Sequence, residues 1–207
     1  AFATPVAVDS DPRPTETRVA VGPGGSALVA FTRADGCGES SCTGPPTVAA
    51  LSAGGVPGTA FGPTLVTPRR ALAPSAALTS AGGGLLVFEV KTKRSPFSTL
   101  WPVHAVRFRA NGTVGKVRRL TSERAGEPVV LPLSRGRALA LWVSSKRIGT
   151  ALARRGGALR RTPAPAGPPP DVFHTNSTNR DLRTGGRYAI FAWSRRDGVV
   201  RVSVRRF

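Results

Sequence analysis

Four times along this chain a glycine turn leads into a short apolar run that ends in an aromatic residue. The four are Gly24-Gly25 into Ala27–Phe31, Gly83-Gly84 into Leu85–Phe88, Gly136-Arg137 into Ala138–Trp142 and Gly186-Arg187 into Tyr188–Trp193. Their closing aromatics, Phe31, Phe88, Trp142 and Trp193, are spaced 57, 54 and 51 residues apart (31 to 88, 88 to 142, 142 to 193). A near-constant period of this size marks an array of equivalent supersecondary units. Around each run the apolar positions fall into short segments bounded by Gly and Pro, and no segment sustains a 3.6-residue period. The pattern therefore predicts an all-β chain of four repeats with about four strands each.

The first repeat, residues 18–67, reads as strands at 18–21, 27–31, 47–51 and 59–67. The second, 74–121, reads as 74–79, 85–90, 105–109 and 114–120, with Asn111-Gly112 as a hairpin turn because both residues tolerate positive φ. The third, 128–162, reads as 129–133, 138–143, 148–153 and 158–162. The fourth, 171–207, supplies strands at 181–184, 188–193 and 199–204. Residues 1–8, Ala-Phe-Ala-Thr-Pro-Val-Ala-Val, match the last strand of the first repeat at 60–67, Ala-Phe-Gly-Pro-Thr-Leu-Val-Thr. Two readings follow: the N-terminal strand completes the fourth sheet and leaves no open edge, or the chain is a larger ring cut at an arbitrary point. The uniform period favours one domain over residues 1–207.

Composition agrees, with 40% hydrophobic residues, 24 Gly and 19 Pro in 207 residues, the profile of a turn-rich globular chain. No run approaches the roughly 18 uninterrupted apolar residues of a membrane helix, so no membrane insertion is expected. The chain has no Met and opens at Ala1 inside a strand pattern, as a processed or excised piece does. Cys37 and Cys42 lie in Cys-Gly-Glu-Ser-Ser-Cys. A disulfide between them staples a loop between two strands, against the alternative of two free thiols, and points to an oxidising, extracellular or periplasmic setting. Zinc needs about four ligands, and the two histidines, His104 and His174, are distant, so no metal or other cofactor is expected.

Charge sharpens the picture. The chain carries 26 Arg and 4 Lys against 11 acids, a net +19. Residues 1–66 hold 3 basic and 5 acidic side chains, whereas residues 67–207 hold 27 and 6. A field of that sign attracts anionic partners and opposes self-association.

The unit of four strands, with a glycine turn and an aromatic-ended second strand, resembles the blade of secreted bacterial β-propeller proteins of the sialidase-like group. The resemblance covers almost the whole chain and implies a propeller. It does not extend to the neuraminidase repeat, Ser-x-Asp-x-Gly-x-Thr-Trp, which this chain lacks. Thr32-Arg33-Ala34-Asp35-Gly36 and Ser194-Arg195-Arg196-Asp197-Gly198 follow the second strand instead and read as Asp-Gly turns. A sialidase-like hydrolase needs a Tyr–Glu pair, an acid/base Asp and an Arg cluster. The single tyrosine, Tyr188, sits at a core strand position. Glu89 ends an apolar strand beside Lys91 and Lys93 and reads as a solvated ion pair. His104 and His174 have no Gly-x-Ser-x-Gly partner. No catalytic residue is assigned.

Strand order places the cations. Connections from second to third strands and between repeats share one end of the sheets, where Arg69, Arg70, Lys91, Lys93, Arg94, Arg124, Lys146, Arg147, Arg195 and Arg196 form the candidate anion-binding set, with Arg33 beside them. Arg135, Arg137, Arg154, Arg155, Arg183 and Arg187 fall at the other end. Arg107 and Arg109, like Arg201 and Arg205, read as solvent-facing strand positions. The expected function is non-enzymatic binding of an anionic polysaccharide or cell-wall polymer. The alternatives are a sialidase-like glycoside hydrolase fragment and a purely structural repeat. Nucleic acid stays open as a partner, although the tryptophans are not interleaved with basic residues as a stacking platform requires. Oligomeric state is not determined.

Overall fold

The computed structural model describes residues 14–22, 26–33, 36–37, 42–51, 57–79, 83–95, 98–122, 125–144, 148–155, 158–163, 180–185, 188–194 and 200–206. In these residues the regular structure is β throughout, in antiparallel sheets. None of it forms a helix long and apolar enough to cross a membrane.

The first sheet holds β1 (Pro14–Val21) and β2 (Ala27–Arg33). A two-stranded hairpin follows, β3 (Gly36–Cys37) with β4 (Cys42–Thr43), and then β5 (Pro46–Leu51) and β6 (Pro57–Leu65) complete the order β1-β2-β5-β6. The second sheet repeats the plan: β7 (Ala71–Leu78), β8 (Gly84–Val90), a hairpin of β9 (Thr92–Ser95) and β10 (Ser98–Leu100), then β11 (Val103–Phe108) and β12 (Arg118–Arg119). The third is β13 (Ala125–Leu133), β14 (Arg137–Ser144), β15 (Ile148–Ala153) and β16 (Leu159–Thr162). The fourth is β17 (Arg180–Gly185), β18 (Tyr188–Ser194) and β19 (Val200–Arg206). The predicted strands recur with ends shifted by a few residues, except that at 114–120, of which only Arg118–Arg119 is strand. The two hairpins set into second-to-third connections were not predicted, because their sequences show no apolar alternation. The expected completion of the fourth sheet by residues 1–8 lies outside the described residues.

Period-two alternation gives every sheet two apolar faces. In β8, Leu86, Phe88 and Val90 pack with Leu28, Ala30 and Val48 of the first sheet, and Val106 and Phe108 of β11 join that cluster. The intervening Leu85 and Val87, with Val103 and Ala105, pack against Ala138, Ala140, Trp142, Ala151 and Ala153 of the third sheet. So the aromatic position and the one two before it face the preceding sheet, and the residues between them face the following one. The sheets stack in chain order, with β1 beside β7, β7 beside β13 and β13 beside β17.

The first strands share a distortion. Register shifts fall between Thr15 and Arg18, Leu72 and Ser75, and Gly126 and Val129, at the same repeat position each time. Glu16 and Ala73, at equivalent places in the first two, have φ of 50° and 48°. A bulge strengthens local twist, and Pro74 and Pro128, which have no N–H to place in a ladder, fit there. The Glu16 carboxylate accepts a hydrogen bond from Ala73 N, and Ser75 Oγ accepts one from Val130 N at 3.0 Å. These bonds tie β1 to β7 and β7 to β13.

Candidate functional site

The apolar faces that hold the second and third sheets together give way to charge toward their outer strands. In β11 the register sets Val103 opposite Glu89, Ala105 opposite Val87 and Arg107 opposite Leu85. Arg107 therefore points to the third sheet, where its Nη1 donates to the Arg154 carbonyl at 2.7 Å. It is half-buried, which corrects its reading as an ordinary solvent-facing residue: its face is the one that the neighbouring sheet covers.

Past Phe108 the chain reverses at Ala110-Asn111, with Gly112 at φ 81° and Thr113 N donating to Asn111 Oδ1 at 3.1 Å. Val114 bridges to Phe108, and Arg118 then pairs with Ala105, so four residues on one side span three on the other. That extra residue is a bulge. It leaves β12 only two residues long in place of the predicted strand at 114–120, and the outer rim of β11 is incompletely covered.

A groove of about 850 Å³ opens there between the two sheets. Arg107, Arg109, Lys116 and Arg118 line it from the second sheet, and Arg155 and Leu159 from the third. Phe108 and Gly136 also form part of its wall. Gly136 has φ 66°, a left-handed conformation that favours glycine, and the side-chain carbons of Arg155 lie at ordinary contact distance, 3.6 Å, from where a Cβ would stand. Five cations thus share one cleft, and no carboxylate is among the described lining residues. An isolated exposed ion pair contributes up to about 1 kcal/mol, so affinity here depends on several contacts made together. Arginine's planar fork supplies paired donors to a carboxylate, sulfate or phosphate.

Of the sequence-derived set, only Arg69, Arg70 and Lys91 have described side chains, and these lie at the opposite end of the sheets. Arg69, Arg70 and Lys91 are exposed. Lys91 N donates to the Arg70 carbonyl at 3.1 Å, and Lys91 Nζ stands 5.7 Å from the centre of the Trp101 ring, a cation–π contact. Lys93 and Arg94 lie on β9, but their side chains fall outside the described residues. Arg124, Lys146, Arg147, Arg195 and Arg196 also lie outside them. Nearby Arg119 is tied to the chain, its Nε donating to Thr121 O at 2.6 Å and its Nη2 to Ser122 O at 3.0 Å.

Among the described residues no group of three or more His, Cys, Asp or Glu is placed to hold a metal. Glu89, expected at a solvated strand end, is instead buried, because register holds it between Leu72 and Val103. His104 is buried as well: its ring stacks on Phe88 at 6.1 Å and its Nδ1 lies 3.1 Å from the Pro102 carbonyl. Burial holds its imidazole below the ordinary 6.5, and the neighbouring Arg119 and Arg69 push in the same direction against the bond to Pro102. At neutral pH it is an uncharged core ring. Cys37 and Cys42 are directly opposite each other in the β3–β4 pair.

The fold has a counterpart among solved structures. This chain is similar in fold to a polysaccharide lyase, Uly1. The likeness has a TM-score of 0.54 at 9% sequence identity and covers 92% of this chain and 45% of the lyase chain. This chain thus spans less than half the length of that neighbour. Twenty-one solved chains match in all. No family model matches the sequence, and no curated protein does.

The groove was not legible in the sequence. Arg107 and Arg118 are assigned to it by cross-strand register, and Arg155 by the approach of a second sheet. One signal was available: Lys116, Arg118 and Arg119 follow a glycine hairpin with no acid between residues 90 and 122.

Proposed function

We propose that this chain is a non-enzymatic binding module for an anionic polysaccharide or cell-surface polymer, which it holds in the groove between its second and third sheets. The four sheets are consecutive blades of a propeller-like array, and the protein works outside the cytoplasm. One observation carries the reading: Arg109, Lys116, Arg118 and Arg155, with Arg107 bonded to the Arg154 carbonyl beside them, converge on one open cleft. An open groove suits an extended chain, and spaced cations suit an anionic group repeated along it. The likeness to a polysaccharide lyase supports sugar polymers as the class. Arg69, Arg70 and Lys91, at the other end, add to the general field without an enclosing surface.

The test is binding to anionic glycans, wall polymers and nucleic acids across a salt series, with Arg109, Lys116 and Arg118 replaced together by Ala. Arg107 is kept because it links the sheets. Each lost tenfold in affinity corresponds to about 1.4 kcal/mol, and the triple variant is expected to lose about tenfold or more. Replacing Arg69, Arg70 and Lys91 together is expected to lose less. Equal losses in the two variants overturn the groove as the site. Uniform binding that vanishes at physiological salt overturns specific recognition. Cleavage of a bound polymer with time overturns the non-enzymatic reading in favour of a hydrolase or lyase.

A further inference from the structure

The two walls of the groove are unequal. Arg109, Lys116 and Arg118 belong to the second sheet, whereas Arg155 is the one described lining cation that the third sheet contributes. An anionic group held from both walls therefore depends on where Arg155 stands. Arg155 lies in the turn between β15 and β16, exposed and beyond their last pair, Ala153 with Leu159, so no strand ladder fixes it.

Two contacts hold it instead. Arg107 Nη1 donates to the Arg154 carbonyl at 2.7 Å. That carbonyl belongs to the planar peptide joining Arg154 to Arg155, and the Cα of Arg155 lies in the same plane. The bond from β11 thus anchors the point at which Arg155 leaves the turn. Further out, the Arg155 stem lies against the Gly136 turn, its Cβ, Cγ and Cδ each 3.6 Å from where a Gly136 Cβ would stand. Two other arginines cross between sheets to backbone carbonyls, Arg161 to Leu120 and Arg205 to Pro163. Neither acceptor adjoins a described lining cation of the groove.

We infer that Arg107 is a positioning residue for anion capture, acting through Arg155: it holds that cation opposite Arg109, Lys116 and Arg118 before a polymer arrives. The inference rests on the groove reading above and names the residue that sets the second wall. Arg107 does this across the sheet interface, from a half-buried place on β11. A turn and a long side chain already in place need not be ordered by the ligand, which is worth roughly three- to tenfold in affinity.

Binding of dextran sulfate, a sulfated polysaccharide probe, by the intact chain tests it through two double-mutant cycles. Arg107→Met is expected to weaken binding roughly three- to tenfold. In the Arg155→Ala background the same substitution is expected to cost nothing further, while in the Lys116→Ala background it costs what it does in wild type, within about twofold. Loosened sheets affect both backgrounds alike, so the selective coupling is a readout that a merely structural role does not move. Arg107→Gln, which keeps a polar head on a shorter stem, is carried through the same cycles, so that one misfolded variant does not decide the outcome. Equal losses in the two backgrounds overturn the inference, whether Arg107 touches the polymer itself or only steadies the sheets. So does an Arg155→Ala variant that binds like wild type while the triple variant of Arg109, Lys116 and Arg118 loses affinity. Wild-type affinity in both of these variants overturns the groove as the site, and the inference with it.

Discussion

The imidazole of His104 lies parallel to the Phe88 ring within 18°, out of water, in a neutral state. Because its folded pKa is lowered, the unfolded chain binds a proton more readily. The resulting stabilisation is full above the unfolded value near 6.5 and is lost as pH falls through that range toward the lower folded value. Melting temperature is expected to drop as pH falls below 6.5, and His104→Phe, which keeps the stack, is expected to flatten that dependence. A flat profile in wild type contradicts the assignment. Gly149 shows a second residue-scale constraint. It faces Trp142 across the β14–β15 pair, and a Cβ there comes within 2.1 Å of the indole. Overpacking of this kind costs about 1–3 kcal/mol, so Gly149→Ala is expected to lower the unfolding free energy measured by denaturation by that amount without changing the strand signal. Neither was readable beforehand. The sequence marks Trp142 as the end of a core strand, but the residue beneath its ring depends on a cross-strand partner seven positions later.

At the scale of elements the glycine turns and aromatic-ended strands announced themselves, since turn chemistry and period-two burial act locally. The recurring bulge in the first strands did not, although Pro74 and Pro128 mark it in two of them. The β3–β4 hairpin bears on the cysteines. Residues opposite each other in an antiparallel pair have Cα atoms about 4.5–5.5 Å apart, inside the range of about 4.4–6.8 Å that a disulfide spans. The backbone register of Cys37 and Cys42 is within that reach, and the loop-stapling pair stands as a prediction. Alkylation of the unreduced protein is expected to leave its mass unchanged, and alkylation after reduction to add two groups. Labelling of both thiols without reduction removes the pair and the oxidising compartment with it. The predicted strand at 114–120 failed for a related reason: apolar alternation there was too weak to hold register, and the bulge that resulted opens the groove.

For the whole molecule, the net charge of +19 sets a long-range field. On the proposed reading of the groove, salt weakens capture of a polyanion by screening that field. Binding followed across a salt series is expected to show affinity falling as ionic strength rises, and a flat series contradicts the assignment. The sequence by itself determined the all-β class, the four repeats, nearly every strand and a strong basic excess toward the C-terminal two-thirds. Those properties follow from turn residues, alternation and composition, each confined to neighbours along the chain. Only the tertiary structure decided which arginines share a cleft, that Glu89 and His104 are buried, and which apolar faces pack between neighbouring sheets. Each of these depends on cross-strand register and on how one sheet packs against the next, and such contacts join residues tens of positions apart, beyond the reach of any local pattern.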